Sequence, residues 1–382
     1  MALSGNNVLN GLIPIIRTAL DNVSRKWTGM LSFTPIDAAA SMASQGQTVN
    51  VPKSGIASVQ DIGDTPPVND GKDFGTIPVL VNHYKVATPI VWNGEEEKGV
   101  GDMLNPMRVS QFEQRFEAIA MAVEGLLCET AVMGAIGAGN VYGVAGTPPF
   151  SGSLADMAAI AKIMDDISRP TSDRAFIGNS VAIRQFRSLG ILTAADQNGS
   201  DTTLRTGNIL PIFGFGIGQS GGFQTMAPGG GSGYVLNGAH PEGAAALTVD
   251  TGSGTLNKGE IIAIAGDPNK YIIVDDVPSG GTEIKIAGGL KKNAPDNAAI
   301  TSGAAYLPSV AYARDALVLA ARQPYMPEGG DEAEDVMAVT DTATGLVFQV
   351  AYYKRYRKRA IEIALAYGAA SVNPEHAIAV LG

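Results

Sequence analysis

Asp250-Thr-Gly-Ser253, preceded by the apolar Leu247 and Val249, has the form of an aspartic-protease active-site loop. That chemistry needs two aspartates sharing one proton, because carboxylates so close together do not both ionise. Asp341-Thr-Ala-Thr344 is the second candidate and lacks the glycine. A homodimer would supply the partner, making a hydrolase at Asp250 one alternative, but Asp and Gly between short β runs serve turn geometry in any case, and the turn is favoured. Gly218-Gln-Ser-Gly-Gly222 fits a nucleophile elbow, and Gly216-Ile-Gly-Gln-Ser-Gly221 fits a dinucleotide fingerprint. Both need a helix directly afterwards. Phe223-Gln-Thr-Met-Ala-Pro228 and Gly229-Gly-Gly-Ser-Gly233 follow instead, so a flexible loop is expected over 214–233.

His83, His240 and His376 lie on separate extended or loop segments with no second ligand at zinc spacing. Glu95-Glu-Glu97 offers hard-cation ligands, yet adjacent carboxylates point apart. Glu95, Glu96 and Glu97 read as a solvated acidic turn or one facing a basic patch on a neighbour. Cys128 falls near the apolar stripe of a predicted helix and reads as a buried, inert thiol. The one basic cluster, Lys354, Arg355, Arg357, Lys358 and Arg359, lies between two β segments. Its charges suit pairing within the chain or between subunits better than a grip on phosphate. No complete catalytic set, cofactor site or metal site is assembled.

These residues hang on a definite series of elements. Leu12, Ile15, Ile16, Leu20 and Val23 recur at helical spacing ahead of Ser24-Arg-Lys26, giving an amphipathic helix within an arm to about residue 48. Thr48-Val-Asn-Val-Pro52 and the stretch Thr76 to Val91 alternate as strands around a Gly/Pro-rich polar segment. They predict a two-stranded loop that needs a neighbour to lie on. Asn105-Pro106 opens the longest helix, expected to run to about Gly134. Phe112, Phe116, Ile119, Val123, Leu126 and Leu127 form its apolar stripe, with Glu113, Glu117 and Glu124 on another face.

An α+β region follows: helix over Leu154–Ile167, strand over Arg174–Ile177, and helix over Val181–Leu189 capped by Asn179 or Ser180. Short β runs from 246 to 300, with turns at Asn257-Lys-Gly259 and Ser279-Gly-Gly281, predict an inserted barrel. The α/β texture resumes with an Ala/Leu-rich helix from Ala311 through Ala321. Strands at Gly345–Tyr353, Arg359–Tyr367 and Ala377–Leu381 close the chain.

Composition narrows the function classes. At 382 residues the chain has ample core, and 45 % hydrophobic residues exclude a disordered polymer. No unbroken apolar run approaches the roughly 18–20 residues of a membrane span, so no membrane partner is expected. A net charge of −10 argues against a protein whose main work is gripping nucleic acid. One cysteine and no recognisable export signal point to synthesis in a cytoplasm. Charged residues are only 17 %, while Gly and Pro together make about 18 %. So few charges on a water-facing surface point to surface covered by other subunits.

The order of arm, long loop, long helix, α+β domain, inserted barrel and closing strands resembles the major capsid proteins of tailed double-stranded DNA bacteriophages. These have the Hong Kong 97-like (HK97-like) fold, and the likeness is to the branch of the Salmonella podophage coat proteins. The local matches are Ile361-Glu-Ile-Ala-Leu-Ala-Tyr-Gly368 with Val372-Asn-Pro-Glu375 and Ala377-Ile-Ala-Val380, then Gly254-Thr-Leu-Asn-Lys-Gly-Glu-Ile-Ile-Ala-Ile264, and Met1-Ala-Leu3 with Thr48-Val-Asn-Val-Pro52.

The resemblance implies an N-terminal arm over 1–50, an E-loop over 51–100, and a peripheral domain with the spine helix over 101–145. It further implies an axial domain over 146–239, an inserted barrel over 240–305 and a closing axial/peripheral part over 306–382. It implies a structural, non-enzymatic protein that self-assembles as hexamers and pentamers into an icosahedral shell around double-stranded DNA. Scaffolding, portal and decoration proteins are the partners it implies, with assembly in the host cytoplasm and residence in the virion capsid. An encapsulin-like compartment shell is the other use of this fold.

Overall fold

The apolar spacing of residues 112–127 is realised as one helix in a computed structural model that describes residues 9–24, 29–54, 74–96, 106–167, 171–194, 205–207, 209–327 and 332–382. We number the first three helices α1 (Ile13–Ser24), α2 (Met30–Phe33) and α3 (Pro106–Gly137). Met1-Ala-Leu3, Arg25, Lys26, Glu97 and the proposed cap Asn105 lie outside the described residues.

At 1.5 Å per residue α3 is about 48 Å long, and it ends three residues later than expected. Phe112, Phe116, Ile119, Val123 and Leu127 are buried, and Leu126 is half-buried at the flank of the stripe. By length and composition α3 is apolar enough to cross a membrane, although charged residues interrupt its apolar runs. Over half of its most apolar stretch is nevertheless buried inside the protein, as in a core helix.

Glu124 corrects the expected polar face. Only 1 % exposed, it accepts hydrogen bonds from the backbone N–H groups of Met30 (2.7 Å) and Leu31 (2.9 Å), capping α2. Gly29 is required there, since a Cβ would stand 2.1 Å from Glu124 Oε1. Glu124→Gln keeps one acceptor and turns the other into a donor. It is expected to cost about 1–2 kcal/mol in urea unfolding, and an unchanged midpoint would refute the capping role.

The chain divides into two compact units. The first comprises Met1–Trp27, Thr34–Val123 and Val318–Val372. Its sheet runs β1 (Ile36–Ala43), β16 (Leu317–Pro324), β19 (Lys358–Ser371), β18 (Val347–Arg355), β17 (Ala333–Thr340), with β4 (His83–Val86) and β5 (Ile90–Asn93) also pairing β19. β2 (Gln47–Ser54) and β3 (Phe74–Val81) form a separate antiparallel ribbon, in register from Gln47↔Val81 to Ser54↔Phe74. Its Val79 and Val81 pack on Ala43, Ala320 and Ala366. Gly368 permits that approach, because a Cβ would lie 2.0 Å from the Leu80 carbonyl oxygen. The expected single run Thr76–Val91 is three strands, interrupted at Asn82 and over Ala87-Thr-Pro89. β1 and β17 were not anticipated from the sequence.

The second unit comprises Thr28–Phe33, Glu124–Leu317 and Asn373–Gly382. A five-stranded sheet runs β6 (Val141–Tyr142), β20 (Ala377–Val380), β15 (Ser309–Ala313), β7 (Arg174–Gly178), β8 (Phe215–Gln219). It shares a core with α4 (Ala155–Asp166) and α5 (Ser180–Ser188). The rings of Phe150, Phe176 and Phe186 stack and meet edge to face within that core. Asn179 caps α5 as expected, its Oδ1 accepting from Ala182 N at 2.8 Å.

Two expectations fail here. Residues 311–321 are not a helix but the end of β15, a turn and the start of β16. Every residue of β15 is buried, so as a central strand it shows no alternation. Nor is 214–233 all loop, because 215–219 is the edge strand β8. Gly216 is needed in that strand, since a Cβ would lie 2.9 Å from the Phe33 ring.

The predicted barrel is present and closed. β9 (Val235–Leu236), β10 (Ala246–Asp250) and β13 (Glu283–Lys285) form one sheet, and β12 (Lys270–Ile272), β11 (Ile261–Ile264) and β14 (Ile300–Ser302) the other. Bridges Ile273↔Ile286 and Val235↔Ala299 join them at both sides. Leu247, Ile262, Ile273 and Ile284 fill the interior. The ring includes β9, upstream of the 240 boundary that the resemblance implies.

Candidate functional site

The catalytic look-alikes are consumed by turn and packing geometry. Asp250 ends β10, and Thr251 follows with φ +55°. Gly252 is fixed by packing, because a Cβ there would fall 2.0 Å from the Tyr234 ring. Asp341 makes a local turn, accepting from Ala343 N (3.1 Å), Thr344 N (3.3 Å) and Thr344 Oγ1 (2.5 Å). Ser220 of the elbow-like motif accepts from Gly222 N (3.1 Å) and faces Cys128 Sγ (3.3 Å). Cys128 is buried; burial, then the nearby Glu124 charge, push its thiol up and keep it un-ionised.

Each histidine has a structural partner. His83 stacks on Tyr367, with ring centroids 5.4 Å apart. His240 Nε2 accepts from Thr248 N (3.0 Å), leaving Nδ1 to donate to the Gly238 carbonyl (3.0 Å). His376 lies 3.1 Å from Asp315. Among the described residues no group of three or more side chains is placed to hold a metal ion.

Two charged segments, far apart in sequence, do meet. β18 and β19 are joined by a two-residue turn, Tyr356-Arg357, closed by the pair Arg355↔Lys358. Tyr356 is 90 % exposed, and Arg357 has φ +55°. Lys354 pairs with Glu334, and Arg355 with Glu362 at 3.1 Å. β5 runs along β19 with Asn93↔Lys358 and Trp92↔Arg359, so the acidic turn after Asn93, which is a helical turn over 94–96 and not a loop, begins beside the basic one. That turn is locked reciprocally: Glu96 N donates to Asn93 Oδ1 (2.7 Å) and Asn93 N to Glu96 Oε2 (3.0 Å). Glu95 and Glu96 are exposed.

Sequence reasoning missed three residues here. Tyr356 sat unremarked inside the basic run. Glu124 and Glu260 are buried carboxylates that organise loops. For Glu260 a signal existed, a carboxylate three residues after Asn257 at a predicted turn.

No family model matches the chain, and no curated protein does. Among solved structures, it is similar to the capsid of cyanophage P-SCSP1u, at 12 % identity over 93 % of this chain and 88 % of that one, with a TM-score of 0.48. For Mycobacterium phage Che8 the values are 14 %, 88 %, 85 % and 0.45. For a virus-like particle from Pyrococcus furiosus they are 11 %, 96 %, 98 % and 0.42.

Proposed function

We propose that this chain is the major capsid protein of a tailed double-stranded DNA bacteriophage, a structural protein whose copies close an icosahedral shell of hexamers and pentamers around the packaged genome. The observation that carries this reading is the order of elements. An amphipathic N-terminal helix, the β2–β3 ribbon, the 32-residue α3, an α+β domain with a closed barrel inserted and a pair of long strands near the end follow one another. That is the order the resemblance implies, with the arm, E-loop, peripheral, axial and inserted regions as divided above.

Surface burial is the mechanism. Heterologous contacts around a ring close it, and extended segments gain order by lying on neighbours. A net charge of −10 suits a container, since a shell that gripped DNA tightly would obstruct packing of its own genome. A scaffolding protein guides assembly, and a portal protein occupies one vertex. Assembly takes place in the host cytoplasm, and the product is the virion capsid.

Electron microscopy of the expressed chain, with and without its scaffolding protein, tests this. Closed shells, tubes or capsomers are expected. Monomers or dimers under every condition would overturn it, and shells filled with a cellular enzyme would transfer the reading to a compartment shell.

A further inference from the structure

We infer that the paired turns at the β5–β19 end of the first unit's sheet form a contact between two copies of the chain, in which Arg357 and Lys358 of one copy meet Glu95 and Glu96 of the other. This rests on the shell reading above. The chain has 27 Lys and Arg against 37 Asp and Glu, yet five of those cations fall within residues 354–359. Lys354 and Arg355 are taken by Glu334 and Glu362, and Arg359 also has an interaction within the chain. Arg357 and Lys358 form no ion pair among the described residues, and neither does Glu95.

The tip is costly as a mere connection. Arg357 occupies the left-handed region, where a side chain costs about 1–2 kcal/mol and Gly or Asn costs less. Beside it Tyr356 holds an aromatic ring almost wholly in water. Backbone strain under an exposed Tyr–Arg pair marks a surface built for contact, since these residue types are the ones enriched in interfaces.

The arrangement of signs selects the partner. A basic turn and an acidic turn stand side by side, held by the register Asn93↔Lys358, so the patch complements a second, reversed copy of itself. A polyanion such as nucleic acid would meet the carboxylates of Glu95 and Glu96 as well as the cations.

Two variants test the contact: Glu95→Lys, and Arg357→Glu combined with Lys358→Glu. Glu96 is left in place because it locks the turn to Asn93. Both should keep the parent's circular dichroism and unfolding midpoint. Alone, each should lose shell yield at least about tenfold, because repulsion replaces attraction at every repeat of the contact. Mixed in equal amounts, the two should regain at least half the parent's yield, since opposite charges then meet across copies. Pairing inside one chain cannot be rescued by mixing. Variants that assemble like the parent, or that fail both alone and mixed, would overturn the contact while leaving the shell reading intact. A parent that forms no shells overturns the shell reading itself. Should the double variant not fold, Arg357→Glu alone replaces it in the same mixing series.

Discussion

Phe116→Asp is expected to leave no cooperatively folded protein. Phe116 is wholly buried at the centre of the α3 stripe, where its ring meets Phe348 of β18 edge to face, with centroids 5.0 Å apart. Truncating such a side chain already costs about 3–5 kcal/mol. An aspartate adds an unpaired charge in an apolar site, a further several kcal/mol, and the sum reaches the whole margin of an ordinary domain. The readout is the soluble yield and the near-ultraviolet circular dichroism, beside Phe116→Leu, which should fold with a loss of about 1–2 kcal/mol. A soluble Asp variant with the parent's unfolding transition would show that α3 does not anchor this core.

Glu260→Ala should loosen the entry to the barrel, by a different route. This carboxylate is 3 % exposed and accepts from Gly229 N (2.9 Å), Asn257 N (2.9 Å) and the Ser302 hydroxyl. It ties the loop before the barrel, the turn at 257–259 and β14 to one point. Alanine removes the shared acceptor of three part-buried hydrogen bonds, and because Asn257 and Ser302 are exposed, water takes over part of the loss; about 2–3 kcal/mol in total is expected. Hydrogen exchange should show lost protection at the amides of Gly229 and Asn257 before the global transition. Glu260→Gln, which keeps part of the acceptor set, should lie between. Unchanged protection at both amides would remove Glu260 from this role.

How much was legible follows from where the information resides. α1, α3 and the β2–β3 ribbon were readable because each buries one face, so apolar residues recur at 3.6 or at 2. β15 and β16 were not. Val310-Ala-Tyr-Ala313 and Leu317-Val-Leu-Ala320 are apolar without interruption, and a strand buried on both faces cannot be told from a buried helix by period. β8 hid behind its glycines, of which Gly216 leaves the room that the Phe33 ring requires. Glu124 and Glu260 broke the rule that carboxylates face water, because backbone N–H groups from distant segments surround them. The charged turns were both visible as candidates, but their adjacency depends on β5 pairing with β19 across more than two hundred residues. Spacing along the chain carries no trace of that.

The barrel's closure has a topological corollary. Its first and last strands, β9 and β14, are neighbours, with Ile300 N donating to Tyr234 O at 2.9 Å. Outside the ring, Met226 and Tyr306 exchange backbone hydrogen bonds, so the incoming and outgoing chains zip together as a stem. The module thus hangs on two adjacent chain ends, with a further tie from Lys258 to Glu129 of α3 at 3.8 Å. A change of length inside the ring therefore leaves the spacing of those two chain ends unaltered.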